Sequence, residues 1–495
     1  MKTYKPWSPT ALFLLPPSPL KWLPPGHLVY FLLDVLGEMD LSGIEGKMQA
    51  RDHRGTQPYP PLMMVALLLY GYCVGVFSSR KIEKATYEDV AFRVLAGGHH
   101  PDHTRISEFR RTYLEELRGL FLQVLKLCQG VGLVKLGHVA FDGTKVQGNA
   151  SKHKAMSYKR MLETELRLKQ EIEALLKQGE ETDQTEDTRY GAEVRGDEVP
   201  EELRRRETRL ARIREAKAKL EEDAKQARAE ELREQAQKAR ERAQTHADET
   251  ERKRAATVAE KKDAEAKAMG GDDEPPPSHT PEGLPMHHTK AKPDGTPDDK
   301  AQRNFTDPES RIVESGGSFL QGYNCQTAVD AAHQIIVGQA VTNQSPDNGN
   351  LVPMVKQVKE NCGQAPEVAT ADAGFWTPGV AQAVNEIGSD PYVSTARRKH
   401  GTSLLNPPPT PVIDNPDERE LMRRKLSTPE GKAIYARRKA IVEPVNGQIK
   451  EAQGFRRFLL RGLQKVAGEW ALVCTGHNLL KLYRYAPNAP ASAVA

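Results

Sequence analysis

Cysteine is scarce in this chain of 495 residues. The five present (Cys73, Cys128, Cys325, Cys362 and Cys474) are odd in number, widely spaced and form no CxxC pair. That excludes a disulfide framework. The pairs His99/His100 and His287/His288 have no neighbouring cysteines, so zinc-ligand spacing is missing too, and a reducing interior is expected. Long apolar runs are also lacking. The apolar start is broken at Pro16, Pro17, Pro19, Pro24 and Pro25, and the run Ala11 to Leu15 is too short for a signal-peptide core. A soluble, cytoplasmic protein without a membrane partner is expected. No phosphate-cradling GxxxxGK[ST] loop occurs, which argues against nucleoside-triphosphate hydrolysis. Charge of one sign is nearly absent in sum: the net charge is +4, although 28% of residues are charged and mean hydropathy is −0.62. Much of the length must therefore be solvated, and the arrangement of charge matters more than its total.

Residues 60 to 130 read as three helices. The first opens on prolines, the second stops at Gly97-Gly98, and the third runs from Thr104 as N-cap through TRISEFRRTYLEELRGLFLQVLKLC. A glycine-containing turn before a basic helix fits a helix-turn-helix DNA reader, and an ordinary helical bundle is the alternative, since such spacing is common. Arg105, Arg110 and Arg111 are the DNA-contact candidates. Arg105 and Arg111 stand 240° apart on a helix, so they cannot all enter one groove, and some are expected to meet phosphates.

After the strand pattern HVAFDGTKV, at 138 to 146, the composition changes. Met161, Leu168, Ile172 and Leu175 follow heptad steps, as do Leu203, Leu210, Ile213, Leu220, Ala224 and Ala227. Residues 201 to 270 hold 37 charged residues, nearly balanced in sign. Two such helices around the polar stretch 178 to 200 predict an antiparallel hairpin. The proline-rich 269 to 305 lacks any period and reads as a disordered linker. Order resumes near 319 with two strands around a turn at Ala331 to His333. A helix, the strand PEVATAD, a helix opening at Thr377-Pro378, the strand YVSTA and two final helices follow. The outcome is a mixed α/β core with a helical segment inserted after its first strand.

Asp142 closes HVAFD before Gly143, and Asp372 closes VATAD before Ala373-Gly374. Open α/β sheets set ligands at such strand tips, although an Asp-Gly after a strand is often only a turn. Glu443 lies on a helix on which Lys439, Glu443, Asn446 and Lys450 fall within about 60°. Such a face suits a metal beside a phosphate chain, or is simply a solvated face. Pro444 bends that helix or starts it. Three carboxylates from distant segments suit hard cations that retain sites for phosphate and water.

At these residues the chain resembles the DDE transposases of bacterial insertion sequences, closest to the insertion-sequence-eleven-eighty-two branch. The matching stretches include YGYCVGVFSSRKIEKATYEDVAFRVLAGGHHPDHTRISEFR, VAFDGTKVQGNASKHKAMSY, TDPESRI, QGYNCQTAVD, TADAGF and VEPVNGQIKEAQGFRRF. In this order they run from about residue 60 to 485.

The resemblance implies an RNase H-like catalytic core with a helical N-terminal domain and a long coiled-coil insertion. It implies Asp142, Asp372 and Glu443 as catalytic metal ligands, with Mg²⁺ or Mn²⁺, two ions, as cofactor. The superfamily pattern of Tyr, two residues, Arg, three residues, Glu, six residues, Lys fits Tyr435 with Arg438 from the left and Glu443 with Lys450 from the right. One residue is extra, leaving the phosphate contact open between Arg438 and Lys439. The implied partners are double-stranded DNA (terminal inverted repeats and a target) and a second copy as a homodimer on DNA, in a bacterial nucleoid. A domesticated, non-cutting DNA-binding descendant is the alternative. The expected division is 1–134 helical and DNA-end binding, 135–152 first core strand, 153–268 insertion, 269–305 linker, 306–485 remainder of the core, and 486–495 disordered tail.

Overall fold

The computed structural model describes residues 18–50, 57–190, 201–269, 278–396 and 416–485, main chain only at 178–190 and 201–202. The expected tail at 486–495 and the proline-broken start before residue 18 lie outside these residues. The first stretch is helical: α1 (Leu28–Gly37), α2 (Ser42–Gln49), α3 (Pro61–Val74), α4 (Ser79–Glu88), α5 (Val90–Leu95), α6 (His103–Thr112) and α7 (Leu114–Gly130). The single helix expected from Thr104 is broken at Tyr113 into α6 and α7. Its N-cap is Asp102 rather than Thr104, because the Asp102 carboxylate accepts from the backbone N–H of Thr104 and Arg105.

Helix α3 is apolar on every side, and every residue from Met63 to Cys73 is buried. It is covered by α15 (Leu463–Tyr485), the last helix, which also packs on α7. On its other side α15 crosses the sheet: Asn478 exchanges hydrogen bonds with the backbone of Ile336, and Trp470 Nε1 donates to Gln326 O. The N-terminal helices therefore share one hydrophobic core with the sheet and α15. This corrects the expected separate domain at 1–134, because a helix apolar all round needs cover on all sides.

The sheet contains β1 (His138–Gln147), β4 (Arg311–Ser315), β5 (Ser318–Asp330), β6 (Ile336–Thr342), β7 (Val368–Ala371) and β8 (Asp390–Val393); β2 (Ala155–Ser157) and β3 (Gln302–Asn304) form a separate two-stranded ribbon. Strand β1 is central. It pairs antiparallel with β5 and parallel with β7, while β8 continues parallel beyond β7 and β6 continues antiparallel beyond β5. Helices α11 (Leu351–Cys362) and α12 (Val380–Ile387) connect these strands, and α13 (Glu418–Ser427) and α14 (Pro429–Gly447) follow the last of them. The fold is mixed α/β, as expected. Strand β1 runs past Gly143, so Asp142 lies within a strand rather than at its tip.

Between β1 and β5 come α8 (Tyr158–Tyr190), α9 (Glu201–Thr245) and α10 (Glu249–Met269). Three helices thus replace the two expected. The ion pairs Arg206–Glu171 and Arg214–Glu165, with the Tyr158–Glu221 hydrogen bond, show α8 and α9 antiparallel around Met161, Leu168, Leu210 and Ile213. Asp248, whose carboxylate accepts from Thr250 N, turns the chain back into α10, which packs through Ala255, Ala259 and Ala266. Alanine seams carry little hydrophobic contrast, so the heptad pattern did not reveal this turn. The ribbon β2–β3 ties the ends of the insertion together.

The expected linker is also corrected. Residues 270–277 lie outside the described ones, but 278–305 are folded. Two successive turns close through the bridges His279–Pro285 and Ala291–Pro297, each with a glycine in the left-handed region (Gly283 φ 79°, Gly295 φ 80°). Leu284 is fully buried, Glu282 pairs with Arg118, and His287 N donates to Asn343 Oδ1. Turn chemistry, not periodicity, orders this segment. Just beyond it, buried Asp307 accepts from Tyr323 OH and Gly462 N, and Glu309 accepts from Leu463 N. The TDPES and QGYN stretches thereby hold the start of α15, where carboxylates meet unsatisfied helix N–H groups.

Candidate active site

Strands β1 and β7 pair with Ala140 opposite Thr370, so Asp142 and Asp372 each lie two residues further along neighbouring parallel strands. Pairing stops between those positions, and the chain at Asp372 turns away into a short 3-10 turn. Its carboxylate caps that turn by accepting from Gly374 N at 2.7 Å. Helix α14 packs over this end of β1 through Ile441, Val442, Val445 and the following Ile449.

Pro444 lies inside α14, and a π-helical turn follows at Gln448–Ala452. The helix neither starts nor ends at Pro444, because its missing N–H is compensated: Gln334 Nε2 donates 3.1 Å to Ala440 O, the carbonyl one turn back. Continuity through Pro444 lets a single helix present both Arg438 and Asn446 to Asp142. Arg438 Nη1 is 3.6 Å from Asp142 Oδ1, and Asn446 Nδ2 donates to Asp142 Oδ2 at 2.9 Å. Lys450 Nζ donates to Lys145 O further along β1.

Burial pushes the Asp142 carboxyl up to about 6. The Arg438 charge opposes this, and the neighbouring charges of Asp372 and Asp347 add to it. Asp347 was not foreseen. It sits in the loop after β6, where its Oδ1 accepts from Asn324 Nδ2 and Gln326 Nε2, both at 2.8 Å, and from Lys145 Nζ at 3.1 Å. A Cβ at Gly143 would collide with the Asp347 carboxylate, so the glycine after Asp142 makes room for a third acid. Nothing in PDNGN distinguishes this aspartate from an ordinary turn residue. Its donors, Asn324 and Gln326, were visible only as part of the QGYNCQ stretch.

Glu443 is on α14, exposed, one turn before Asn446, and makes no hydrogen bond or ion pair among the described residues. Of the two residues between which the phosphate contact was left open, Arg438 is buried against Asp142, whereas Lys439 is exposed. Tyr435 lies beside Arg438, with the guanidinium 6.0 Å from its ring centre.

Of the N-terminal candidates, Arg105 and Arg111 are exposed, and Arg105 pairs with Glu108. Arg110 is buried at 3% exposure, donating to Tyr72 OH and Phe77 O with the charge of buried Glu469 nearby. This corrects its proposed DNA contact, because a guanidinium enclosed in the core cannot reach phosphate. Among the described residues no single helix is long and apolar enough to cross a membrane.

In chemical terms the candidate acids are Asp142 and Asp372, with Glu443 exposed on the covering helix and a cation, Arg438, beside Asp142; among the described residues no three acids, histidines or cysteines are grouped closely enough to hold a metal ion. Residues 412–483, spanning α13 to α15 with Arg438, Glu443 and Asn446, match the family model described as Transposase DDE domain. Residues 18–112 match the one described as Transposase domain (DUF772). No curated protein and no solved structure matches the chain. Two stretches from opposite ends of the chain, packed into one core, are each similar to a transposase domain, and together they support a transposase.

Proposed function

We propose that the protein is a DDE transposase that cuts DNA at the terminal inverted repeats of a mobile element and joins the freed 3′ ends to a target. The observation that carries this reading is the level placement of Asp142 and Asp372 on neighbouring parallel strands, under a helix bearing Glu443. Strand order and direction support an RNase H-like core: β6, β5, β1, β7, β8, with β5 alone antiparallel to its neighbours on both sides.

The donor set suits a divalent cation such as Mg²⁺, because every candidate ligand is a hard carboxylate oxygen and the charges of Asp372 and Asp347 raise the affinity of Asp142 for positive charge. Asp142, Asp372 and Glu443 would hold it, and when bound it supplies charge stabilisation for phosphoryl transfer. Arg438 and Asn446 orient the Asp142 carboxylate. Asp347, fixed by its three donors, keeps the local field negative, which raises the affinity of Asp142 for positive charge. Two ends cut in one complex require a pair of active sites, and a homodimer on DNA supplies them.

The test uses a supercoiled plasmid carrying the DNA that flanks the gene. Mg²⁺-dependent nicking is expected, abolished in Asp142→Asn, Asp372→Asn and Glu443→Gln while duplex binding survives. Wild-type nicking rates in any one variant would overturn that residue's assignment, and no nicking by the wild type would overturn the reading.

A further inference from the structure

Helix α9 averages to near neutrality, but its first turns, 204–219, hold eight lysines and arginines against two glutamates. Arg205, Arg209, Arg212 and Lys219 fall within about 80° of one another at 100° per residue, on a face beside the leucine seam that meets α8. That face forms one wall of a cleft of about 1310 Å³ at the base of the insertion. The opposite wall comes from the core side: Lys154 after β1, Arg303 in β3, and Arg461 ahead of α15. Eight lysines and arginines line the cleft against one carboxylate, Glu215, which pairs with Lys219 at 3.8 Å. Among the described residues Lys154, Arg204, Arg209 and Arg212 form no ion pair. Holding so many like charges around one cavity is unfavourable unless a polyanion enters it.

The cleft is tied to the candidate active site by covalent geometry. Arg461 Nε donates 2.9 Å to the carbonyl of Asn149, and Arg457 donates to the Asn149 side chain at 2.9 Å. Asn149 is seven residues beyond Asp142, so at about 3.3 Å per residue the two are at most about 23 Å apart. One nucleotide step of a DNA strand spans about 3.4 Å, so this reach corresponds to at most about seven nucleotides.

We infer that this cleft grips the phosphate backbone of the DNA duplex within about seven nucleotides, measured to Asn149, of the phosphate attacked at the Asp142 site, making the insertion a clamp on the substrate. This rests on the reading of the carboxylate site as a DNA-cutting centre. Charge complementarity favours a polyphosphate over a protein partner, and the spacing commits it to the same DNA rather than to a separate ligand.

The experiment measures binding of a fluorescein-labelled duplex of about 40 base pairs to the full chain between about 50 and 200 mM salt. Each phosphate contact contributes about 0.9 to the slope of log affinity against log salt, so removing three contacts lowers the slope by about 2.7. The combined variant Arg204→Ala, Arg209→Ala, Arg212→Ala should therefore lose about 40-fold less affinity than the wild type over that fourfold range. The corresponding lysine variant should keep the wild-type slope. A control with Arg252, Lys253 and Lys261 changed to alanine, at the far turn and outer surface of the insertion, should also keep it.

Circular dichroism and melting of each variant establish that it is folded. An unchanged slope in the alanine variant, or an equal fall in the control, overturns the clamp while leaving the active-site reading intact. A fall confined to the cleft variant, in a protein that nicks no DNA, keeps the clamp and sinks the transposase reading. Failure of the wild type to bind the duplex overturns both.

Discussion

The side-chain amide of Gln334 donates to the carbonyl of Ala440, the one carbonyl of α14 that Pro444 deprives of its helical partner. Gln334 sits at φ 58° in the turn between β5 and β6, and its own side-chain oxygen accepts from Lys481 Nζ at 2.8 Å. One turn residue thus joins the sheet, the active-site helix and α15.

Gln334→Ala should lower stability by about 0.5–1.5 kcal/mol, the net contribution of a typical intramolecular hydrogen bond. In a Pro444→Ala background the cost should shrink, because that substitution restores a backbone N–H for the Ala440 carbonyl. Urea unfolding of the two single variants and the double variant measures the coupling. Additive effects would show that the amide does not compensate for the proline.

The raised Asp142 carboxyl makes a signed pH prediction. Its folded value, about 6, lies above its ordinary 3.8, so the stabilisation belongs to the protonated form. It is complete below about pH 4 and lost as pH rises through about 6. At about pH 8, in EDTA, Asp142→Asn should therefore melt above the wild type, by at most about 3 kcal/mol at about 1.36 kcal/mol per pH unit. The difference should vanish near the ordinary carboxylate range. Equal melting at both pH values would contradict the burial of this carboxylate among like charges.

Arg438 and Lys439 are adjacent in sequence but differ in burial, and their variants should separate. Arg438→Ala removes the cation that opposes protonation of Asp142. Nicking should fall at least about tenfold, equivalent to about 1.4 kcal/mol, and the acid limb of its pH profile should move to higher pH. Arg438→Lys should shift that limb less. Lys439→Ala should leave the limb where it is, and a matching shift there would undo the assignment.

Arg110→Ala should be a stability variant rather than a binding variant. It leaves Tyr72 and the buried Glu469 without their cation, a loss of about 3–5 kcal/mol for a broken buried charge interaction. Arg105→Ala and Arg111→Ala, on exposed positions, should change melting by less than about 0.5 kcal/mol. Thermal denaturation of the three variants is the measurement.

The strands and most helices of the core were legible because alternation and capping are local. The turn at Ala331 to His333, the strand through Asp142 and the one ending before Asp372 could be read from residues only a few positions apart. What was missed depends on distant partners. Arg110 looks like any surface arginine of a basic helix until Tyr72 and Glu469 are brought around it. Asp347 is an ordinary turn aspartate until Asn324, Gln326 and Lys145 converge on it. The segment 278–305 has no period, yet two similar proline-glycine turns and one buried leucine anchor it. The basic start of α9 was concealed by averaging, since the acids that balance it lie further along the same helix.

The burial of α3 under α15 sets a problem of timing for synthesis. The covering helix begins roughly 390 residues after Val74. At about 5–20 residues per second, the ribosome takes roughly 20–80 s to deliver it. During that interval α3 can pack on its neighbours α1, α4 and α5 but lacks α15, its main native cover. The growing chain should therefore depend on a chaperone holding this segment, and any copy truncated before α15 should aggregate or be degraded rather than persist as a partial protein.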